Sequence, residues 1–421
     1  RLLQPFLQRE SMNILFLSDN FPPEKNAAAS RVYERACYWV KWGHQVTFIT
    51  SVPYFPVGKV FEGYKNKWYQ SEIIDGIRVV RVKTFIHPNK GKVLRILDFL
   101  SYVVPAFFAG LFVQKPDVVV VTTPQFFVTL PGYLLSMMKR CPYVLEVGDL
   151  WPAFISAVGI TIKSPVLWCL EKFELFMYHR ASSIVVLTNA FKQNLVSRHI
   201  EAKKIHVVIN GVELNKYQPQ TKDSSLMAQY DLSDRFIVGY VGNHGMAQDL
   251  QNVLQAAALL QKDYPNICFM FVGDGAERSD LMKFTERAHL SNVRFVPMQP
   301  KNKIAAFWAL SHIALVHLKD DPLFGTVIPS KIFEAMAMQL PILLVAPKGE
   351  ASAVIEENQN GIHVEAGQPP LLADAVVKLY DDSNLLQQCA NNSAHNISKY
   401  SREAQARKFL EILSAQVREI I

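Results

Sequence analysis

The segment GTVIPSKIFEAMAMQLPILLV, residues 325–345, sets an electrostatic problem. Pro329 and Ser330 read as a helix start, and Pro341 with the apolar run after it reads as the next strand. Lys331 then falls in the first helical turn, where exposed peptide N–H groups already make the backbone positive. Anions are stabilised at that place and cations are not. Glu334 follows one turn later, and a solvated Lys–Glu pair at i,i+3 is one account of the two residues. A second group, FVGDGAERSDL at 271–281, follows a strand and opens a helix. It lacks the third glycine of a dinucleotide fingerprint, and the turn after the first strand, SDNFPPEKNAAAS, has no glycine, so dehydrogenase chemistry is disfavoured. No D-x-D, H-E-x-x-H or Cys/His cluster is present, so no metal site is expected.

These residues need strands and helices to hold them. Apolar runs recur along the first half as NILFLSD, QVTFITS, IRVVRVK, DVVVVTT, PYVLEVGD, SIVVLT and IHVVING. The second half repeats the pattern with FIVGYVG, ICFMFVGDG, VRFVPM, IALVHL and PILLVAP. Continuous apolar runs of this length fit parallel strands covered on both faces. The chain of 421 residues is too long for one ordinary core. The expected organisation is a leader or added segment at 1–11, a first α/β domain at 12–211 and a polar linker at 212–235. A second α/β domain follows at 236–394, and a helix at 395–421 crosses back to the first. Two doubly wound domains place a ligand at the strands' C-terminal ends and in the cleft between them. That architecture suits a dehydrogenase, a periplasmic-type binding protein or a nucleotide-sugar enzyme.

Charge is uneven. Residues 1–215 carry 25 Lys and Arg against 15 Asp and Glu, whereas the remainder carries 19 against 22. The excess is densest at 59–95, with nine basic and three acidic residues. Such a patch attracts anionic lipid or phosphorylated substrates, and no nucleic-acid-binding motif accompanies it. The run FLSYVVPAFFAGLFV at 99–113 follows directly, as a buried helix or one lying on a membrane surface. The uncharged stretch 118–138 is divided by TTPQ and Pro131-Gly132 into strand, loop and helix rather than a span. The five cysteines form no C-x-x-C pair and read as reduced thiols.

In this order and spacing, several stretches resemble family-4 glycosyltransferases of the GT-B fold, over nearly the whole chain from Met12. FPPEKNAAASRVYERACYWVKWGHQVTFIT looks like that family's first loop, helix and second strand, with Gly43-His44 at the helix exit. VVINGVELNKYQP resembles its entry to the linker, and FVGDGAERSDL and GTVIPSKIFEAMAMQLPILLV resemble its donor-domain landmarks. EVGDLWP at 146–152 is similar to the bacterial branch that builds surface polysaccharides on lipid carriers, to which the L-fucosamine transferases of O-antigen assembly belong.

The resemblance implies an α/β chain of two Rossmann-like domains facing a central cleft, and a reading of Lys331. The helix starting near Ser330 would point its N-terminus at the diphosphate of a nucleotide sugar, so that amides at Ser330 and Lys331 and the Lys331 ammonium share one anion. Glu334 would accept bonds from the ribose hydroxyls. Asn26 and Ala27 stand where the family has Gly-Gly over the diphosphate. Gly242 and Gly245 would allow close backbone approach, with Asn243, His244 and Gln248 where relatives carry Arg and Lys. Gly273, Asp274 and Gly275 would lie near ribose or base, and 296–299, including Met298 and Gln299, would line the base pocket. The family's second glutamate, eight residues before the ribose ligand, is Thr326, which fits a deoxy or N-acetylated aminosugar; Asp320 or Asp321 is the alternative acceptor. The family's His-Asp pair is Gly148-Asp149, leaving Asp149 to orient or deprotonate the acceptor hydroxyl, or simply to cap the next segment.

The implied reaction is retaining transfer from a nucleoside diphosphate, UDP by preference, to a lipid-linked saccharide, with no metal and no cofactor beyond the donor substrate. Its acceptor would require peripheral contact with the cytoplasmic membrane, through Lys83, Lys90, Lys92, Arg95 and Phe99, with Trp151 beside the acceptor. A nucleotide-sugar epimerase or hydrolase of the same fold, or a non-catalytic binding protein, are the alternatives.

Overall fold

The continuous apolar runs become the inner strands of two sheets, because a strand covered by helices on both faces has no use for polar alternation. The computed structural model describes residues 11–419 except 25, 55–57, 87–91, 124 and 151–163, with the backbone alone at 92–97 and 164. The chain divides into two compact units, Arg1–Ile209 with Glu403–Ile421, and Asn210–Arg402. Among the described residues no helix is long and apolar enough to cross a membrane.

The first unit is built on β1 (Asn13–Leu17), β2 (Gln45–Ser51), β3 (Tyr69–Ile74), β4 (Ile77–Val82), β5 (Val118–Thr122), β6 (Tyr143–Val147), β7 (Ser183–Val186) and β8 (Ile205–Val207). Their spatial order is β3-β4-β2-β1-β5-β6-β7-β8, with β3 antiparallel to β4 and every other pair parallel. Its helices are α1 (Ala27–Lys41), α2 (Lys92–Leu111), α3 (Thr129–Lys139), α4 (Ser164–Arg180) and α5 (Asn189–Ser197). The order reverses between β1 and β5, so the loops after those strands diverge and open a crevice. Asn26 fixes the start of α1, its Oδ1 accepting from the Ala29 amide at 2.7 Å. Arg31 and Arg35, one turn apart on α1, are buried against β6. Arg35 Nη2 donates to both carboxylate oxygens of Glu146 at 2.8 Å, and Arg31 Nε lies 3.5 Å from the same group. Burial pushes the Glu146 carboxyl up, but Arg35 and Arg31 outweigh it and hold it below its ordinary value.

The second unit is a six-stranded parallel sheet of β9 (Phe236–Val241), β10 (Ile267–Val272), β11 (Val293–Val296), β12 (Ile313–His317), β13 (Ile342–Val345) and β14 (Gly361–Val364). The order is β11-β10-β9-β12-β13-β14, the doubly wound arrangement with its reversal between β9 and β12. Its helices are α6 (Ser224–Gln229), α7 (Leu250–Leu260), α8 (Arg278–Arg287), α9 (Ile304–Leu310), α10 (Ser330–Ala337), α11 (Glu350–Asn358), α12 (Pro369–Asp381) and α13 (Ser383–His395). The polar stretch expected to be a linker, 212–235, instead belongs to this unit and carries α6, capped by Asp223, whose carboxylate accepts from the Ser225 and Leu226 amides. Two parallel-bridge partners, Val212 and Ser401, close the unit where the chain enters and leaves it. Helix α14 (Arg402–Arg418) then joins the first unit, starting seven residues later than the sequence suggested. It covers α1: Trp39 Nε1 donates to the Ala406 carbonyl at 3.0 Å, and the Phe409 ring lies 4.2 Å from the Arg35 guanidinium.

Both views of 99–113 have a physical counterpart in α2. Tyr102, Ala106 and Ala109 are buried in the first unit, while Leu100, Val104, Phe108 and Phe112 form an exposed apolar stripe, Phe112 at 80%. The helix is therefore core on one side and apolar surface on the other.

The Arg35–Glu146 pair sets a stability expectation. Arg35→Met leaves a carboxylate of 1% exposure with Arg31 alone, so urea unfolding should show a loss of about 3 kcal/mol, the low end for breaking a buried pair. Equal urea midpoints would remove this pair from the stability of the first unit.

Candidate functional site

In the second unit, the loop after β9 and the helix after β12 meet around one side chain. Lys331 leaves the first turn of α10 and crosses the face of Gly242, with Nζ 5.4 Å from the centre of the Tyr240 ring. A Cβ on Gly242 would stand 2.1 Å from Lys331 Cε, and the residue's φ of 149° is itself a glycine conformation. Burial lowers the Lys331 ammonium, and Glu334 raises it in part. The helix behind it is uncapped by any side chain, because Pro329 is its N-cap. Lysine and open helix start thus present positive charge from the same place, an arrangement that can hold an anion. This is a different environment from a solvated surface pair.

Glu334 is held one turn on by Trp308 of α9, whose Nε1 donates to Glu334 Oε2 at 3.1 Å. Trp308 itself is fully buried. That bond fixes the direction in which the carboxylate, an acceptor of hydroxyl protons, is presented. Ser330, Lys331 and Glu334 are therefore brought together on α10.

The neighbouring loop is packed as closely. A Cβ on Gly273 would lie 1.9 Å from the Gly242 carbonyl, so these two backbones touch. His244 ties the loops: its amide donates to the Asp274 carbonyl and its carbonyl accepts from the Glu277 amide, both at 2.9 Å. The expectation that His244 replaces a ligand-facing cation is corrected here. Its ring is fully buried among Tyr240, Phe271 and Phe295. Burial and then Arg278 push it down to about 4, so it is neutral at physiological pH. Asn243 Nδ2 donates to Gln248 Oε1 at 3.3 Å, which also accepts from the Gly245 amide, so these residues shape the glycine loop. Asp274 spends Oδ1 on the Gly275 amide, as a turn residue does. Beside it, Asp274, Gly275, Arg278 and Ser279 line an open depression of about 400 Å³. Met298 is exposed and Gln299 Nε2 donates to the Pro297 carbonyl, both beyond the end of β11.

Thr326 donates to the Leu323 carbonyl at 2.6 Å within a 3-10 turn, Pro322–Thr326. Asp321 caps that turn through the Leu323 amide, so it is already engaged, while Asp320 faces Gly367.

In the first unit, Asp149 stands just past β6, half-buried. Burial raises its carboxyl above the ordinary range, and Arg31 opposes the rise. Asn26 and Ala27 open α1 at the crevice beside β1, with Asn26 Nδ2 also bound to Asn20 Oδ1 at 2.6 Å. Lys83 is exposed with Nζ 5.2 Å from the Trp68 ring, and Phe99 is half-buried on α2. Lys90 and Trp151 lie outside the described residues, as do the side chains of Lys92 and Arg95.

Two residues that matter here were not singled out in the sequence. Trp308 sits in the apolar stretch IAAFWAL and carries no signal beyond core. Arg31 did leave one, since it and Arg35 interrupt the buried face of α1 formed by Val32, Ala36 and Trp39.

Two Rossmann-like sheets, the second wholly parallel and the first parallel but for its edge strand β3, define the GT-B architecture. Residues 26–211 match the glycosyl transferase 4-like domain, and residues 222–396 match the glycosyl transferases group 1 family. The chain belongs to these glycosyltransferases. It is 27% identical, over 78% of this chain and 81% of the relative, to the Escherichia coli glycosyl transferase WcaI, named for colanic acid biosynthesis. An alpha-D-kanosaminyltransferase of Streptomyces kanamyceticus is 26% identical over 65% of this chain and 70% of its own. The Anabaena protein HepE, solved in complex with UDP, superimposes with a TM-score of 0.72 at 17% identity, over 96% of this chain and 100% of that one.

The fit of Lys331 over Gly242 can be read without any ligand. Gly242→Ala should destabilise by about 1–3 kcal/mol through backbone strain and collision with the lysine. In a double-mutant cycle with Lys331→Ala, thermal unfolding should show the second change recovering part of that loss. Strictly additive losses would mean that Gly242 answers only to its own backbone.

Proposed function

We propose that the chain is a retaining glycosyltransferase that moves a deoxy or N-acetylated aminosugar from a nucleoside diphosphate to a lipid-linked saccharide during bacterial surface-polysaccharide assembly. The observation that carries the donor half is Lys331 seated across Gly242 at the open start of α10, with Glu334 held by Trp308 one turn on. In this reading the diphosphate lies on the α10 amides and the Lys331 ammonium, and Glu334 accepts from the ribose hydroxyls. Negative charge grows on the leaving diphosphate as the glycosidic bond breaks, and the preformed positive groups stabilise it without a metal. The acceptor hydroxyl attacks from the face the diphosphate leaves, with Asp149 orienting it or taking its proton. UDP is the preferred carrier, a choice supported by HepE, and an aminosugar is supported by Thr326 and by the kanosaminyltransferase relative. The polysaccharide setting is supported by WcaI, and the L-fucosamine branch by EVGDLWP alone.

A panel of nucleotide sugars with short prenyl-diphosphate-linked acceptors, products identified by mass, tests the reading. Turnover without acceptor would make the protein an epimerase or hydrolase, and saturable binding without turnover a binding protein. With the active pair in hand, Lys331→Ala should lower kcat/KM by on the order of 10²-fold or more, and wild-type activity should survive excess chelator. Near wild-type kinetics in the variant, or loss in chelator restored by magnesium, would overturn the account of how the diphosphate is neutralised.

A lipid-linked acceptor also calls for contact with the inner face of the cytoplasmic membrane. The reading is supported by the exposed stripe Leu100, Val104, Phe108 and Phe112, and by a neighbouring groove of about 540 Å³ that includes Trp68, Lys83, Phe85 and Pro105. Each basic residue near an anionic surface contributes about 1 kcal/mol, so Lys83, Lys90, Lys92 and Arg95 together suffice for useful attraction. Vesicle sedimentation should show binding that requires anionic lipid and weakens with salt. It should also fall when the four are changed to Ser or when Phe108 and Phe112 are. Equal recovery of wild-type and folded variants in the supernatant would reject the membrane contact.

A further inference from the structure

The loop leaving β6 carries a vacancy that another side chain fills. Gly148 has no side chain, and a Cβ built there would stand 2.8 Å from Arg31 Nη2 and 3.0 Å from the Thr123 carbonyl. The Gly148 amide donates to Thr123 Oγ1 at 2.8 Å, which pins the loop to the end of β5. The Arg31 guanidinium therefore rests on the backbone of Gly148, reaching from α1 past Glu146 to the residue next to Asp149. Its own bonds are loose: Nη2 lies 3.4 Å from both Thr122 Oγ1 and the Thr123 carbonyl, and Nε lies 3.5 Å from Glu146. Arg35, by contrast, makes two 2.8 Å bonds to the same carboxylate. Glu146 is thus held mainly by Arg35, and Arg31, which meets the same carboxylate more loosely, extends its charge toward the loop that carries Asp149.

We propose that Arg31 is a positioning residue of the transfer reaction: seated on Gly148, it sets the charge environment of the Asp149 carboxyl, and Gly148 is the residue that makes room for it. The proposal rests on the reading of Asp149 given above. Among the described residues, the buried charged groups on the elements beside Asp149 are Arg31 and, behind it, Arg35 from α1, and Glu146 from β6, which pairs with both; the end of β5 and the residue after it bring the neutral Thr122 and Thr123. The Arg31 guanidinium opposes the effect of burial on the Asp149 carboxyl. A base must be ionised to work, so activity is lost as pH falls through its midpoint. Without the guanidinium that midpoint rises, and the loss begins at higher pH.

The test reads Asp149 directly. The protein is labelled with carboxyl-13C aspartate, the Asp149 signal is assigned by its absence in Asp149→Asn, and the titration is followed in wild type, Arg31→Gln, Arg31→Lys and Gly148→Ala. The midpoint should rise in Arg31→Gln. It should rise also in Gly148→Ala, where the arginine is kept but pushed away, and return most of the way in Arg31→Lys. An unchanged midpoint in folded Arg31→Gln or Gly148→Ala overturns the proposal. The acid limb of kcat/KM should move up with the midpoint in the same variants, a change that general loosening of the fold would not produce. If Asp149→Asn transfers sugar at the wild-type rate, the catalytic reading of Asp149 fails and this proposal with it. A dead Asp149→Asn beside unmoved midpoints retires Arg31 alone.

Discussion

The second unit depends on how closely its backbone loops approach one another at the ends of β9 and β10. Gly273 leaves no room for a side chain against the Gly242 carbonyl, and Gly242 leaves none against Lys331. Contacts of this kind have no slack: the loop after β10 fixes the loop after β9, which in turn fixes where the lysine can lie. The buried ring of His244 and its two main-chain bonds keep the pair in register from beneath. A flexible lysine is costly to order in isolation, since its rotamer freedom must be given up. Here a wall of backbone on one side and the Tyr240 ring on the other settle the rotamers before any ligand arrives.

The first unit solves the opposite problem, how to keep charges in a place where water is scarce. Glu146, Arg31 and Arg35 are all deeply buried, yet each has an opposite charge within reach. Helix α1 is the source of both cations, and α14 closes over it, with Phe409 against the Arg35 guanidinium. An ion cluster of this type stabilises less than its short distances suggest, because each member gave up its hydration to enter. Its value is in orientation: two arginines on one carboxylate, Arg35 held tightly and Arg31 loosely, hold α1 at one rotation against β6.

Much of this was legible in the residues. Continuous apolar runs gave the inner strands, since period and length alone distinguish a doubly covered strand, and Pro329-Ser330 marked the start of α10 to the residue. Strand β3 was missed because its burial alternates along an edge, YQSEII, and β14 because GIHV sets only two apolar residues among a glycine and a histidine and so makes no continuous apolar run. The linker expected at 212–235 was read from polarity, whereas a surface helix capped by Asp223 is just as polar. At the site, Lys331 and Glu334 stood out because helix electrostatics is a local matter. Trp308 and Arg31 act across long sequence separations, 26 residues to Glu334 and 91 to Thr122, and no local pattern encodes such meetings. His244 was misjudged for the same reason, because loop composition does not say which way a ring turns.

Helix α14 has a consequence for how the chain comes into being. The core of the first unit includes Trp39, Phe48, Val79, Phe409, Leu410 and Leu413. The last three are made only after Asn210–Arg402 has been synthesised, so the nascent first unit waits with an uncovered apolar face while the second is made. At roughly 5–20 residues per second the interval lasts on the order of ten seconds or more. The chain therefore departs from the usual rule that the N-terminal domain is finished first: the second unit is the one that can close on itself as it emerges, and the first is sealed afterwards.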